Sequence, residues 1–321
     1  MFAIYCRKSW LAREDGDFMK ILIGYDGSLL ADAALDDLQR AGLHADVEAL
    51  ILMIAEFWLP PPMDDDSLEK CPPDASSKSA KKAVTEAETL SRYAKERLQS
   101  SFPEWKITSL AACGSPSRRI LAKADDFKPD LIVVGSHGRT AVSRILLGSI
   151  SHKVLTEAHC SVRVGRGRVA TEPKKSCIII GFDGLSGSLA AVESVASRFW
   201  IENSEVRLLA VSDPVTPSLI GRFVPPIANL VEEVNQVERE RLQALAEPAL
   251  QKLKDAGLCA TLSTVAGNPK QVLVEEAVRR HADAIFVGAN AAGSRLERFL
   301  LGSVSAAVAA RANCSVEVVR K

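Results

Sequence analysis

The chain has 321 residues, room for two domains of about 150 each, and its 47% hydrophobic content against 25% charged excludes a disordered chain. Forty basic and forty acidic side chains cancel to zero formal charge, so broad electrostatic binding to nucleic acid or to a membrane surface is not expected. No apolar run approaches the roughly 20 residues of a spanning helix. The seven cysteines are scattered without a CxxC pair, which fits a reducing, cytoplasmic setting better than a disulfide framework.

Residues 1–18 are mixed and charged and read as a loose extension ahead of Met19. Lys20–Gly24 is an apolar run of strand length, and Leu29–Ala41 has helical spacing with Ser28 placed to cap it. Val47–Ile54 reads as a second strand, Glu56–Ser77 as a Pro- and Asp-rich loop, and Lys78–Leu98 as a charged helix. A third strand over Lys106–Ala112, a helix over Ser117–Phe127 and a fourth strand over Leu131–Val134 follow. A helix over Ile150–Ala158 and a last strand over Ser161–Val164 complete the series.

The series is then written a second time. KILIGYDGS from Lys20 returns as CIIIGFDGLS from Cys177. DLIVVGSHG from Asp130 returns as DAIFVGANA from Asp283, and LLGSISHKVLTEAHCSVRVGR from Leu146 returns as LLGSVSAAVAARANCSVEVVR from Leu300. Ordered self-similarity of this kind marks a duplicated unit: two domains, 19–168 and 175–321, joined by the polar segment GRVATEPKKS. The second copy carries one long charged helix around Ala228–Ala256. Continuous apolar runs such as LIVV fit buried parallel strands covered by helices on both faces. The fold class is therefore α/β, with two tandem doubly wound domains.

In such sheets ligands bind beyond the carboxyl ends of the strands, near the point where strand order reverses. Three features of the first copy lie at such ends: Asp26-Gly27, the turn Gly114-Ser115-Pro116-Ser117, and the loop GSHGRTAVSRILLGS from Gly135 to Ser149. Gly135 and Gly138 lack a Cβ, so backbone amides can approach an anion and the chain can take positive φ. Gly148 and Ser149 open the next helix, whose free amides and dipole favour negative charge. Ser136, His137, Arg139 and Arg144 add donors or charge, and the Asp26 carboxylate suits a sugar hydroxyl. Other clusters carry less. His152 and His159 have no third metal ligand, and Ser136 and His137, as chain neighbours, are badly placed for a nucleophile and its base. The equivalent Cys160 and Cys314 read as packing, and the run Met63–Asp66 as a solvated loop.

The spacing Gly135-x2-Gly138-x9-Gly148-Ser149 resembles the G-x2-G-x9-G-(S/T) signature of the universal stress protein family. Asp26, the Gly114–Pro116 turn and the closing CSVRV strand fit the same pattern, and both copies share the likeness. The resemblance implies a five-stranded parallel sheet of the adenine nucleotide alpha-hydrolase type in each domain, and ATP as the ligand, with or without Mg2+. By position, Asp26 would meet the ribose. Gly135, Gly138 and Gly148, with Ser136, Ser149 and the Ile150 amide, would hold ribose and phosphates. The adenine would lie against Gly24, Tyr25 and Met53–Ile54. The second copy keeps Asp183, Gly267, Gly288 and Gly302-Ser303. It has one residue more between its glycines, and Ala292, beside Gly293, stands where Gly138 stands in the first. The first domain is therefore expected to bind ATP, and the second weakly or not at all. The resemblance also implies an intramolecular pseudo-dimer through Ser161–Gly165 and Ser315–Val319, and leaves a further homodimer open. Without a Walker-type lysine the chain reads as a nucleotide-dependent switch or adaptor. A slow ATP-hydrolysing or adenylyl-transferring enzyme and a nucleotide-free interaction module stay open beside that reading.

Overall fold

The computed structural model describes residues 18–55, 78–138, 147–166, 175–212, 225–289 and 301–320. The first half runs β1 (Met19–Tyr25), α1 (Leu29–Asp37), β2 (Val47–Ala55), α2 (Lys78–Ser101), β3 (Lys106–Cys113), α3 (Pro116–Phe127), β4 (Leu131–Gly135), α4 (Ser149–Glu157) and β5 (Ser161–Gly165). The second repeats it with β6 (Cys177–Phe182), α5 (Ser186–Ala196), β7 (Glu205–Ser212), α6 (Pro225–Asp255), β8 (Cys259–Ala266), α7 (Pro269–Arg279), β9 (Ala284–Gly288), α8 (Ser303–Arg311) and β10 (Ser315–Val319). The expected loop Glu56–Ser77 and the extension 1–17 lie outside the described residues.

Local chemistry explains most boundaries. Ser28 caps α1, its side chain accepting from the Ala31 amide at 3.1 Å. Pro116 and Pro269 open α3 and α7, where a missing N–H costs no helical bond. Two expected spans shift slightly. The helix expected over Leu29–Ala41 ends as α at Asp37 and finishes in a 3-10 turn, Leu38–Arg40. Helix α2 runs past Leu98 to Ser101, where the Gln99 amide donates to the carbonyls of Phe102, Pro103 and Trp105. Cys113, at the end of β3, is disulfide-bonded, which corrects at one point the reading of a disulfide-poor chain; Cys160, Cys177, Cys259 and Cys314 are free.

The strands form one sheet in the order β3-β2-β1-β4-β5-β10-β9-β6-β7-β8. Within each half all pairings are parallel, and apolar side chains fill both faces of strands such as β1 and β4. The halves join where β5 and β10 pair antiparallel, with Val162 opposite Val318, Arg163 opposite Glu317 and Val164 opposite Val316. Each last strand thus covers the other's edge, and the apolar core continues across the seam.

The seam follows a pseudo-twofold axis down to single bonds. The Arg166 amide donates to Ser315 Oγ at 2.8 Å and the Arg320 amide to Ser161 Oγ at 3.1 Å. The Arg320 guanidinium donates to the Leu155 carbonyl at the end of α4 (2.6 Å), and Arg166 donates to Ala309 at the end of α8 (2.5 Å). Each half therefore satisfies a carbonyl that the other half's last helix leaves without an internal partner.

Candidate functional site

In the first half the chain turns one way from β1 to β2 and β3, then returns to the other side of β1 to lay down β4 and β5. The carboxyl ends of β1 and β4 thus lie side by side at the topological switch point. A cavity of about 370 Å³ opens there, lined among others by Tyr25, Asp26, Met53, Ile54, Ile120, His137, Gly138 and Ile150.

Asp26 leaves β1 in a tight turn. Its Oδ1 accepts from the Ser28 amide at 3.0 Å, and Gly27 takes φ of 76°. A Cβ placed on Gly138 would stand 3.1 Å from Asp26 Oδ2, so the carboxylate and the loop face each other across an absent side chain. Tyr25 is buried and donates to Asp32 Oδ1 at 2.7 Å; burial, then that bond, push its phenol pKa upward.

Two bonds cinch the loop. The Gly148 amide donates to the Ser136 carbonyl at 2.8 Å, and Ser151 Oγ to the Gly135 carbonyl at 2.6 Å. Gly148 caps α4 without a side chain, so the amides that begin with Ser149 and Ile150 have no side-chain acceptor at the cap. Gly114 sits at the rim in a φ of 119°, its amide on the Ala55 carbonyl at 3.2 Å, and leads into the cavity-lining Pro116. The expected positive φ at Gly135 and Gly138 is not found; among the first copy's site glycines it belongs to Gly27 and Gly114. Gly135 is needed for another reason: a Cβ there would press on the α1 backbone, 3.2 Å from the Leu30 carbonyl oxygen and 3.3 Å from the Ala31 nitrogen.

His137 is 8% exposed. Its Nδ1 lies 3.3 Å from Ser136 Oγ, and its Nε2 has no hydrogen-bond partner among the described residues. Burial, and secondarily the Arg166 charge, hold its pKa below the usual 6.5, favouring the neutral ring. Arg139 and Arg144 lie outside the described residues. The sequence reading missed the α2 wall, Ala83, Glu86 and Ala87, and also Ile120 of α3. The one available signal was a pair of small residues four apart, Ala83 and Ala87, on an otherwise charged helix.

The second copy keeps the scaffold. Asp183 Oδ1 accepts from the Leu185 amide at 2.9 Å and Gly184 has φ of 77°. The Gly302 amide bonds the Ala289 carbonyl at 2.6 Å and Ser305 Oγ bonds the Gly288 carbonyl at 2.5 Å. The surroundings differ. Ala289 stands where the first copy has the buried Ser136. The buried stripe Ala87, Ser91, Ala94, Leu98 of α2 is answered in α6 by Leu242, Ala246, Ala249, Leu253 with the same spacing, so leucine stands in the place of the Ala87 wall. Leu245 covers the turn, its Cδ1 2.7 Å from where a Gly184 Cβ would lie. Ala292 and Gly293 lie outside the described residues.

A doubly wound sheet, a carboxylate after its first strand and a glycine loop running into an uncapped helix define one type of α/β domain, present in two copies. The universal stress protein family pattern matches residues 17–166 and 177–320, and the chain belongs to that family. A universal stress protein of Mycolicibacterium smegmatis is 26% identical over 317 residues, covering 94% of this chain and 96% of that one. The Mycobacterium tuberculosis universal stress protein Rv2005c is 28% identical over 156 residues, 47% of each chain, so that match spans about half the relative's length. A solved universal stress protein from Archaeoglobus fulgidus superposes with a TM-score of 0.58 at 17% identity, over 94% of this chain and 98% of that one, a likeness of fold. Among the described residues no helix is long and apolar enough to cross a membrane.

Proposed function

We propose that the domain spanning 19–168 binds ATP and acts as a nucleotide-dependent switch or adaptor in a cytoplasmic stress response, while the domain spanning 175–321 binds nucleotide weakly or not at all. The observation that carries this reading is the pairing, in one cavity at the switch point, of the Asp26 carboxylate with the uncapped start of α4 across Gly138.

The fit is chemical. Asp26 Oδ2 is an acceptor for ribose hydroxyls. The amides of Gly138, Ser149 and Ile150, with the hydroxyls of Ser136 and Ser149, are donors for phosphate oxygens. Tyr25, Met53 and Ile120 give the apolar surface a base packs on. Any Mg2+ arrives with the phosphates, held mainly by their oxygens. In the second copy Leu242 narrows the base side and Ala289 removes a hydroxyl donor.

The test is to denature freshly purified full-length protein and identify released nucleotide by mass spectrometry, beside titration calorimetry of the emptied protein with ATP. Adenine nucleotide and a single strong site support the reading. Protein that carries none, and gives no heat with ATP at millimolar concentration, overturns it.

A further inference from the structure

At the centre of the seam lies a line of four buried charges. Arg163 Nε is 2.7 Å from Asp37 Oδ2, and its Nη1 is 3.2 Å from Glu317 Oε2. Arg198 Nη1 donates to Glu317 Oε2 at 3.0 Å, and its Nη2 bonds Oε1 of the same carboxylate. Arg163 and Glu317 are wholly excluded from solvent, and Asp37 and Arg198 nearly so. Both guanidiniums lie against the Phe286 ring, at 5.9 Å and 5.0 Å from its centroid. In order the signs are minus, plus, minus, plus.

The repeat makes Arg163 and Glu317 equivalent positions, in CSVRV and CSVEV. The antiparallel register also makes them direct partners. This is the point where the pseudo-twofold axis crosses the strands, and there each residue faces its own equivalent. If two first domains from different chains paired by the same edges, Arg163 would face Arg163. Two second domains would set Glu317 against Glu317. The pairs internal to each half, Asp37 with Arg163 and Arg198 with Glu317, are present in every combination and cancel from the comparison. Arg40 with Asp283 at 2.7 Å and Arg198 with the Ala41 carbonyl at 2.9 Å also cross the seam, but the axial pair is the contact whose sign reverses: opposite charges in contact within one chain, like charges buried together otherwise, where low dielectric makes repulsion strong.

We infer that Arg163 and Glu317 form a recognition code by which the two halves of this chain choose each other over the same half of another chain. The code closes the chain on itself. Without it, exposed β5 and β10 edges of separate chains would exchange partners and link copies end to end. A charge in the middle of an apolar strand thereby acts as negative selection against the wrong neighbour.

The experiment uses the full chain with a protease site inserted at 167–174, cleaved, unfolded in denaturant and refolded, with pairs counted by native mass spectrometry. Wild-type halves are expected to pair first-with-second at least about tenfold over like-with-like, where chance gives equal amounts. R163E alone or E317R alone brings the ratio towards chance, and R163E/E317R, which reverses the axial pair, restores the preference. R163L/E317L, which removes the axial charges and keeps the Arg40–Asp283 contact, falls from the wild-type ratio towards chance. Chance pairing of the wild type, or a full preference in R163E or in R163L/E317L, overturns the inference. The uncleaved chain gives a second reading by thermal unfolding. The double reversal should lower Tm by about as much as one single reversal, whereas the sum of both overturns the axial coupling.

Discussion

Replacing Gly138 by alanine separates what the loop does for the fold from what it does for a ligand. Gly138 is not in the left-handed region, so alanine meets no backbone strain. Among the described residues the one atom within contact of the new Cβ is Asp26 Oδ2, at 3.1 Å, a side-chain atom able to swing by a few tenths of an ångström. Gly-to-Ala at a compatible position stabilises by about 0.4–1 kcal/mol through the unfolded chain, which is worth a rise in Tm of roughly 1–4 °C. The swing has the opposite effect on binding. It displaces the carboxylate proposed to accept from the ribose, and a misaligned hydrogen bond to a charged group costs about 1.5–3 kcal/mol, or roughly 10- to 150-fold in Kd. The expected G138A protein is thus equally or more stable and binds ATP one to two orders of magnitude more weakly. Thermal unfolding without nucleotide and titration calorimetry with ATP measure the two halves of the claim. An affinity within about threefold of wild type refutes the role of the loop, and a Tm lowered by more than about 3 °C refutes the view that Gly138 is dispensable to the fold. G135A is the contrasting control. Its Cβ meets the backbone of Leu30 and Ala31, which cannot swing aside, so stability falls first.

Three further outcomes are expected. R163M leaves the buried Asp37 without its cation, while Glu317 keeps Arg198, and breaking a buried pair costs about 3–5 kcal/mol; calorimetry should show Tm lower by roughly 6–20 °C, and an unchanged Tm contradicts the packing described. His44 and His137 both have folded-state pKa values lowered chiefly by burial. The unfolded chain therefore binds more protons below pH 6.5, and stability, complete above that value, declines as pH falls towards the lowered pKa values. Urea midpoints at pH 7.5 and 5.5 should show the drop, and H44Q/H137Q should flatten it. Finally, ATP titration of the full chain should give one strong site per chain. Two sites of similar affinity contradict the reading of the second copy.

The strands and the duplication were legible because both rest on local pattern. An apolar run such as LIVV has few fates other than a buried strand, and Ser28 before an apolar-periodic stretch has an evident bond to make. The α2 wall was hidden because its inward face is built of small residues, Ala87 and Ala94, diluted among charges, and a weak apolar stripe gives no sign of which cavity it borders. The seam charges were hidden for a different reason. Arg163 in SVRVG and Glu317 in SVEVV each read locally as a solvent-facing position in a strand. Only the topology, which brings together residues 154 apart, turns two apparent surface charges into one buried pair.

Motif glycines need the same separation of causes. Gly135 and Gly288 both lie where a Cβ would strike the backbone of the helix after the first strand, and Ser151 and Ser305 close both loops in the same way. These features hold the loop in place with or without a ligand, and so they persist in both copies. The surroundings diverge instead: in the loop the buried Ser136 against Ala289, and on the long helix the cavity-lining Ala87 against Leu242. A glycine pattern therefore reports that the loop is built. Whether it is used depends on the residues around it, and in the second half a leucine, Leu242, holds the helix position that Ala87 holds in the first.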